Sequence, residues 1–225
     1  MIKQFLVALS AVQTVKVSSV YETCDFNIQR LEEASKQEIF SKNSNTGSQF
    51  KDSSFPASSS SLFWKNHISK DQDDIAKTFD NDVSSWIRPK DLFKTTLPSL
   101  WGSKLNPIAA TTGVLDDSWF LGSAAAMAEQ PSRIQKLFRN SEYSKDGIFE
   151  VIFNLRDQPV HIVVDDRLPV DANNELVNAR PVSKESGWWL VLLEKAYAKL
   201  NVNYANLHHG SPVEALKELT GMPVV

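Results

Sequence analysis

The stretch that decides the fold is GVLDDSWFLGSAAAM, which runs from Gly113 to Met127. Asp117 or Ser118 is well suited to cap a helix, because a short polar side chain there accepts a hydrogen bond from a free backbone N–H. The apolar and alanine-rich residues that follow predict a helix packed closely against its neighbours, and Pro131 indicates where it ends or bends. The sequence therefore predicts a central helix that begins at Asp117 or Ser118.

A β-hairpin is predicted after this helix. The runs 148–155 and 160–166 are rich in β-branched and aromatic residues, and a four-residue connection joins them. Asp165 and Asp166, at the end of the second run, are expected to form a solvated strand end rather than a metal site.

Two further helices complete the pattern. Apolar residues return at helical spacing in 188–200, with Lys195 and Lys199 expected off the buried face. Ser211 and Pro212 open a last short helix, which Gly221 ends. These elements predict an α+β domain in which helices outweigh the sheet.

The chain before the central helix is less regular. The spacing of apolar residues in 27–40 predicts a surface helix, and 41–61 is a serine-rich loop in which Phe50 and Phe55 are expected to be buried. Residues 62–112 predict coil with short helices. We therefore expect an N-terminal helical or loose arm at 1–44 and one compact domain at 45–225.

Composition limits the classes of binding partner and the cellular locations that we expect. A net charge of -3 with no basic stripe argues against nucleic acid, and no apolar run approaches the length of a stable membrane span. The single cysteine, Cys24, cannot form an internal disulfide, which favours a reducing, cytoplasmic location. A short apolar run within residues 1–20 leaves a signal peptide, and hence a secreted or endomembrane location, as the alternative.

Four separated segments together resemble the protease core of the calpain family of cysteine peptidases. The resemblance covers roughly 45–223, and its segments occur in the family's order. It implies the first, left lobe of a papain-like cysteine peptidase, with a central helix and a small antiparallel hairpin. The segments are 48–64, the WIRP motif at 86–89, the LDDSWFL helix start, and the pair 163–169 with 192–200.

The resemblance places Ser118 at the position of the family's nucleophilic cysteine, between the expected Asp117 and Trp119. Asp116 stands where the family has glycine, and Thr112 stands where it has the glutamine that stabilises the oxyanion. A serine hydroxyl has a far higher pKa than a thiol, so it cannot form the thiolate–imidazolium pair at neutral pH. Changes at all three positions argue against an isolated Cys-to-Ser exchange in a competent site.

The family's catalytic His and Asn lie in a second lobe. The sequence stops where the first lobe would end, so we expect the second lobe to be absent and its face to be covered by a partner chain. His67, His161, His208 and His209 do not occupy the motif of the catalytic histidine. His161 is expected to be structural or at the surface, and His208 and His209 to form a polar turn.

Calcium is implied by the family but not by these residues. The resemblance places the two acidic ligands of the first-lobe calcium site at Ala109 and Gly187, neither of which has a side-chain oxygen. No EF-hand pattern is present. We therefore expect no metal and no other cofactor.

Three functions remain open at this point. The first is an inactive pseudoprotease that binds a protein or peptide in a regulatory role. The second is a divergent calpain-type endopeptidase with Ser118 as nucleophile, active when completed by a second lobe carrying His and Asn. The third is a non-functional remnant of a duplicated gene.

Overall fold

A computed structural model describes residues 49–64, 70–92, 98–183 and 185–223. The predictions for the arm at 1–44, which include the helix at 27–40, the signal peptide and Cys24, lie outside the described residues, as does His67. Across the described residues, no helix combines the length and the apolar character that crossing a membrane requires.

Short helices and three small antiparallel sheets make up the described part of the chain. Helices α1 to α7 span Ser59–Leu62, Lys70–Asp82, Pro89–Leu92, Ser118–Ala128, Pro131–Gln135, Trp189–Leu200 and Pro212–Thr220, and a 3-10 turn spans Tyr204–Leu207. Strands β1 to β6 span Ser85–Ile87, Ala110–Thr111, Ile148–Leu155, Gln158–Asp165, Leu168–Val170 and Arg180–Pro181. Strand β1 pairs with β5, β2 with β6, and β3 with β4. This arrangement confirms the predicted α+β class.

The predicted hairpin is confirmed, with a tighter turn than expected. Strands β3 and β4 pair from Ile148 opposite Asp165 to Leu155 opposite Gln158. The two turn residues, Arg156 and Asp157, both have positive φ angles, of 50° and 62°. Such a pair matches the right-handed twist of the strands, so β4 begins at Gln158 rather than two residues later.

The central helix α4 lies in the middle of the core. Its Phe120 ring is fully buried and stacks on Tyr197 of α6, with ring centroids 4.0 Å apart. Phe153 of the hairpin also contacts Tyr197, at 5.5 Å. One aromatic cluster thus joins α4, α6 and β3, and the prediction of a closely packed central helix is confirmed.

The last helix has the predicted ends. The Ser211 side chain accepts a hydrogen bond from the backbone N–H of Val213, and Gly221 ends α7 in the left-handed conformation at φ 68°. Upstream, Phe50 and Phe55 are buried as expected. Helix α2, at 13 residues, is longer than the short helices predicted there.

Lys195 and Lys199 contradict the prediction that they lie off the buried face of α6. Their exposed fractions are 0% and 3%. The ammonium of Lys195 donates to Asp165 Oδ1 at 2.5 Å, and that of Lys199 donates to Asp52 Oδ2 at 2.9 Å. A buried charge is tolerated when it is paired, and acidic partners brought from other elements supply the pairing.

Asp165 is also not the solvated strand end that we expected. It is fully buried and accepts from Lys195, from Arg167 Nε at 2.6 Å and from the backbone N–H of Asp52 at 2.9 Å. Burial alone would raise its pKa, but Lys195 and these other donors hold the pKa below its usual value. We call Asp52, Asp165, Arg167, Lys195 and Lys199 the buried ion cluster.

Asp166 forms a second buried ion pair, and it directly follows Asp165 of the buried ion cluster in the chain. It is 1% exposed, pairs with Arg88 of the WIRP motif and accepts from the Tyr143 hydroxyl at 2.8 Å. Arg88 also donates to the carbonyl of Phe50 at 2.5 Å. The two consecutive aspartates therefore secure the end of the hairpin to the N-terminal loop, and cations of the chain occupy them in place of a metal.

Replacing Lys195 with Met should destabilise the protein by about 3–5 kcal/mol, because Asp165 would lose its most closely placed cation while remaining buried. The free energy of unfolding from urea denaturation, followed by tryptophan fluorescence, measures this. Lys77→Met is the control, since Lys77 pairs with Asp74 at the surface and should cost little. Equal losses for both variants would contradict the role of the buried pair.

Candidate functional site

The loop 112–117, which leads into α4, is held against the segment 177–181. Strand β2 pairs with β6, and the backbone N–H of Val114 donates to the carbonyl of Val177 at 3.1 Å. A Cβ atom on Gly113 would lie 2.1 Å from that same carbonyl oxygen. Glycine is therefore required where the loop passes this close to the neighbouring backbone.

Ser118 and Thr112 lie at the two ends of this loop. Ser118 is the first residue of α4 and is exposed, and Thr112 follows β2 and is also exposed. Backbone N–H groups at a helix N-terminus are free and carry partial positive charge, so the Ser118 hydroxyl lies in a favourable field for an anion. The arrangement leaves both side chains accessible to a ligand.

Of the two residues predicted to cap α4, the structure uses Asp117 rather than Ser118. Asp117 occupies the N-cap position, and its backbone carbonyl accepts from the N–H groups of Phe120 and Leu121 at 2.9 and 3.1 Å. The Asp117 side chain makes no capping hydrogen bond. That side chain is fully buried, which a capping pattern in the sequence does not predict.

Contacts with the turn at 207–210 fix both sides of Ser118. The Trp119 indole donates to the carbonyl of Leu207 at 3.0 Å, and a Cβ on Gly210 would lie 2.2 Å from the indole ring. On the other side, the Nδ1 atom of His208 hydrogen bonds with the carbonyl of Leu115 at 2.9 Å. The predicted polar turn thus positions the loop. His161 instead pairs with Glu150 on the hairpin, at 2.6 Å.

Asp116 adopts an unusual backbone conformation. Its φ angle is 54°, in the left-handed region that glycine enters without cost and that aspartate enters at a small cost. The resemblance places a glycine at this position. The backbone of the loop here has a shape that suits glycine, and the residue present carries an exposed carboxylate two residues before Ser118.

A buried pair of carboxyl groups lies at the base of the loop. Asp117 and Glu194 are both fully buried and each affects the pKa of the other, while neither carboxylate oxygen of Asp117 has a hydrogen-bond partner among the described residues. Burial, together with the nearby Asp116 charge, raises the pKa of Asp117 to about 6 although Glu194 and the backbone oppose the shift. Burial and the Asp117 charge raise the pKa of Glu194. Two close carboxylates cannot both ionise cheaply, so ionisation of the second carboxyl of the pair is disfavoured.

Glu194 is a buried acidic residue beside the loop that the sequence did not single out. Its carboxylate accepts from the backbone N–H of Ala179 at 3.1 Å, so it also holds the segment that faces the loop. Nearby, the side-chain atoms of Asn178 and the hydroxyl of Tyr204 are buried without a hydrogen-bond partner among the described residues. The available signal was a glutamate inside the apolar run WWLVLLEKAYA, where an acidic residue needs a buried partner.

The positions assigned to calcium do not fit the ion. Ala109 is 1% exposed and offers a methyl group, while a Cβ on Gly187 would lie 2.5 Å from the carbonyl oxygen of Leu100. Calcium requires several oxygen ligands, and among the described residues there is no group of three or more His, Cys, Asp or Glu able to hold a metal.

Comparison with known proteins assigns this chain to a protein family. Residues 50–225 match the calpain family cysteine protease domain. Rat calpain-13 is 36% identical over 179 residues, which are 78% of this chain and 25% of that protein. The calpain-type cysteine protease DEK1 of Arabidopsis thaliana is 35% identical over 179 residues, or 77% and 8% of the two chains.

A third relative, calpain-A of Drosophila melanogaster, is 31% identical over 179 residues, covering 78% of this chain and 20% of the fly protein. The chain therefore spans a quarter or less of the length of each of these relatives. The similarity is to one part of larger proteins.

Replacing Glu194 with Gln should stabilise the protein as the pH rises. A carboxyl whose folded pKa is raised contributes stability at low pH, and this is lost as the pH rises from the unfolded value of about 4 through about 6. The variant should therefore match wild type near pH 4.5 and exceed it by roughly 1–3 kcal/mol near pH 8. Urea denaturation at a series of pH values measures the difference. Glu175→Gln, at the surface, is the control; parallel curves for wild type and Glu194→Gln would contradict the raised pKa values of the pair.

At Asp116, backbone conformation should govern the effect of substitution. Asp116→Gly should leave the free energy of unfolding unchanged or slightly raised, whereas Asp116→Val should lower it by about 1–2 kcal/mol, because a β-branched residue is strained at positive φ. Thermal unfolding of the two variants beside wild type provides the measurement. Equal stability of the two variants would show that the loop relaxes to another conformation.

Proposed function

Because this chain belongs to the calpain family of cysteine proteases, we propose that residues 45–225 form the first lobe of a papain-like protease core, kept as a binding module without catalytic activity. In this proposal the module has a regulatory role and its ligand is a protein or peptide. Its central helix and small hairpin are the elements that this lobe requires.

The observation that carries the proposal is Ser118 itself, an exposed hydroxyl at the N-terminus of α4 that directly follows Asp116 and Asp117 in the chain. A cysteine peptidase needs a thiolate, which a helix N-terminus and a nearby imidazolium stabilise. In the proposed assignment Ser118 replaces that thiol. Asp116, where the resemblance places a glycine, would further oppose negative charge at this position.

The oxyanion site supports the same conclusion. We assign Thr112 to the position of the glutamine whose amide donates to the developing negative charge. Threonine has a shorter side chain and offers one hydroxyl in place of an amide donor. The loss of one such donor typically lowers the rate by about 100- to 1000-fold. Loss of donor and thiol together removes the two groups that most directly stabilise charge in this reaction.

A second candidate function rests on the exposure of Ser118. An accessible serine at a helix N-terminus is a nucleophile when a base and an orienting group are placed beside it. The alternative is thus a divergent calpain-type endopeptidase, completed by a second lobe that carries His and Asn. That lobe would also be the partner that covers the open face beside Ser118.

The two functions predict different pKa values for a thiol introduced at position 118. In Ser118→Cys we expect the thiol pKa at or above its ordinary value of about 8.5, because Asp116 and the carboxyl pair offset the helix N-terminus. The rate of alkylation by iodoacetamide as a function of pH measures this pKa. The double variant Ser118→Cys with Asp116→Gly is the matched comparison, and its thiol pKa should be lower.

A thiol pKa well below 8 in the single variant would show a site still able to activate a nucleophile, and would favour the endopeptidase. Cleavage of unfolded casein by the wild-type chain would contradict the proposal directly, provided that Ser118→Ala abolishes the cleavage. The inactive module should give none, with or without calcium.

A further inference from the structure

A groove of about 720 Å³ lies at the C-terminal half of α4, between α5, β3 and α7. Ser118 and Met127 are separated by about 13 Å along the helix axis, so the groove is distinct from the site loop. The volume lies in the range typical of ligand pockets. Its apolar lining consists of Met127, Leu137, Ile152, Leu216, Leu219 and Met222.

Part of this apolar lining is open to solvent. Met222 is 65% exposed, and Ile152 lies half-buried on the face of β3 opposite the buried Phe149, Val151 and Phe153. An aliphatic side chain on the outer face of a hairpin contributes little to the core. Met222 and Ile152 are therefore the apolar groups of the groove that a bound segment can still remove from water.

The charged residues of the lining are all basic. Arg133 and Lys136 lie at the C-terminal end of α5, three residues apart, and both are exposed. In the described ranges neither side chain forms an ion pair, and no carboxylate lines the groove. Because the whole chain carries a net charge of -3, this local positive charge is a property of the groove rather than of the composition.

We propose that the groove binds a partner protein through a short segment that combines apolar side chains with carboxylates. The apolar side chains contact Leu216, Leu219 and Met222, and the carboxylates pair with Arg133 and Lys136. Charge complementarity of this kind selects the partner and sets its orientation, while apolar burial provides the affinity. The inference goes beyond the proposed function, because it holds whether or not the Ser118 site is catalytic.

Fluorescence anisotropy with the full 225-residue chain tests the proposal. The probe is a fluorescein-labelled 14-residue peptide with three leucines at helical spacing and four glutamates; its control carries lysines in place of the glutamates. The acidic probe should bind roughly tenfold more tightly than the basic one, with affinity that falls as salt is added. Arg133→Glu combined with Lys136→Glu should reverse this preference, whereas Lys77→Glu with Lys104→Glu, outside the groove, should not.

Met222→Asp, at an exposed position, should weaken the acidic probe without unfolding the chain, as circular dichroism checks. Equal affinity for the two probes, or a preference that survives the Arg133 and Lys136 reversals, would overturn the proposal. Zero-length cross-linking of Lys136 to carboxylates within residues 1–44 of the same chain would also overturn it, because the occupant would then be intramolecular.

Discussion

The burial of two lysines on one helix is the constraint on which the rest of the structure depends. Lys195 and Lys199, one turn apart on α6, each require an anion in the interior. Asp165, at the end of the hairpin, pairs with Lys195, and Asp52, in the N-terminal loop, pairs with Lys199. The backbone N–H of Asp52 also donates to Asp165. Because an unpaired buried charge costs several kcal/mol, these contacts determine the position of α6 relative to both segments.

Helix α6 also contacts the candidate site, so the pairing of its lysines affects the geometry there. Consecutive residues of a helix project about 100° apart, so Glu194 and Lys195 face different neighbours. Lys195 contacts the end of the hairpin, whereas Glu194 contacts Ala179 and the Asp117 carboxyl at the start of α4. The ion cluster thus fixes the rotation of α6, and that rotation places Glu194 beside Ala179 and Asp117.

The electrostatics around Ser118 combine two opposing influences. The N-terminus of α4 favours an anion. The nearby carboxyl groups, which are the buried pair with raised pKa values and the exposed Asp116, disfavour one. The calpain-family domain thus carries both influences at the start of α4. The basic groove beyond α4 offers a separate surface for recognition.

The amino-acid sequence by itself determined the features that depend on neighbouring residues. The hairpin follows from its two runs of β-branched and aromatic residues, the last helix from Ser211 and Gly221, and the central helix from the run after Ser118. Strand, turn and cap preferences act over only a few residues. The sequence alone also showed that its ordered motifs resemble those of the calpain family. Only the tertiary structure decided which polar residues are buried. The partner of Lys199 lies 147 positions away and that of Glu194 lies across the core, and helical periodicity carries no information about charges that distant segments supply.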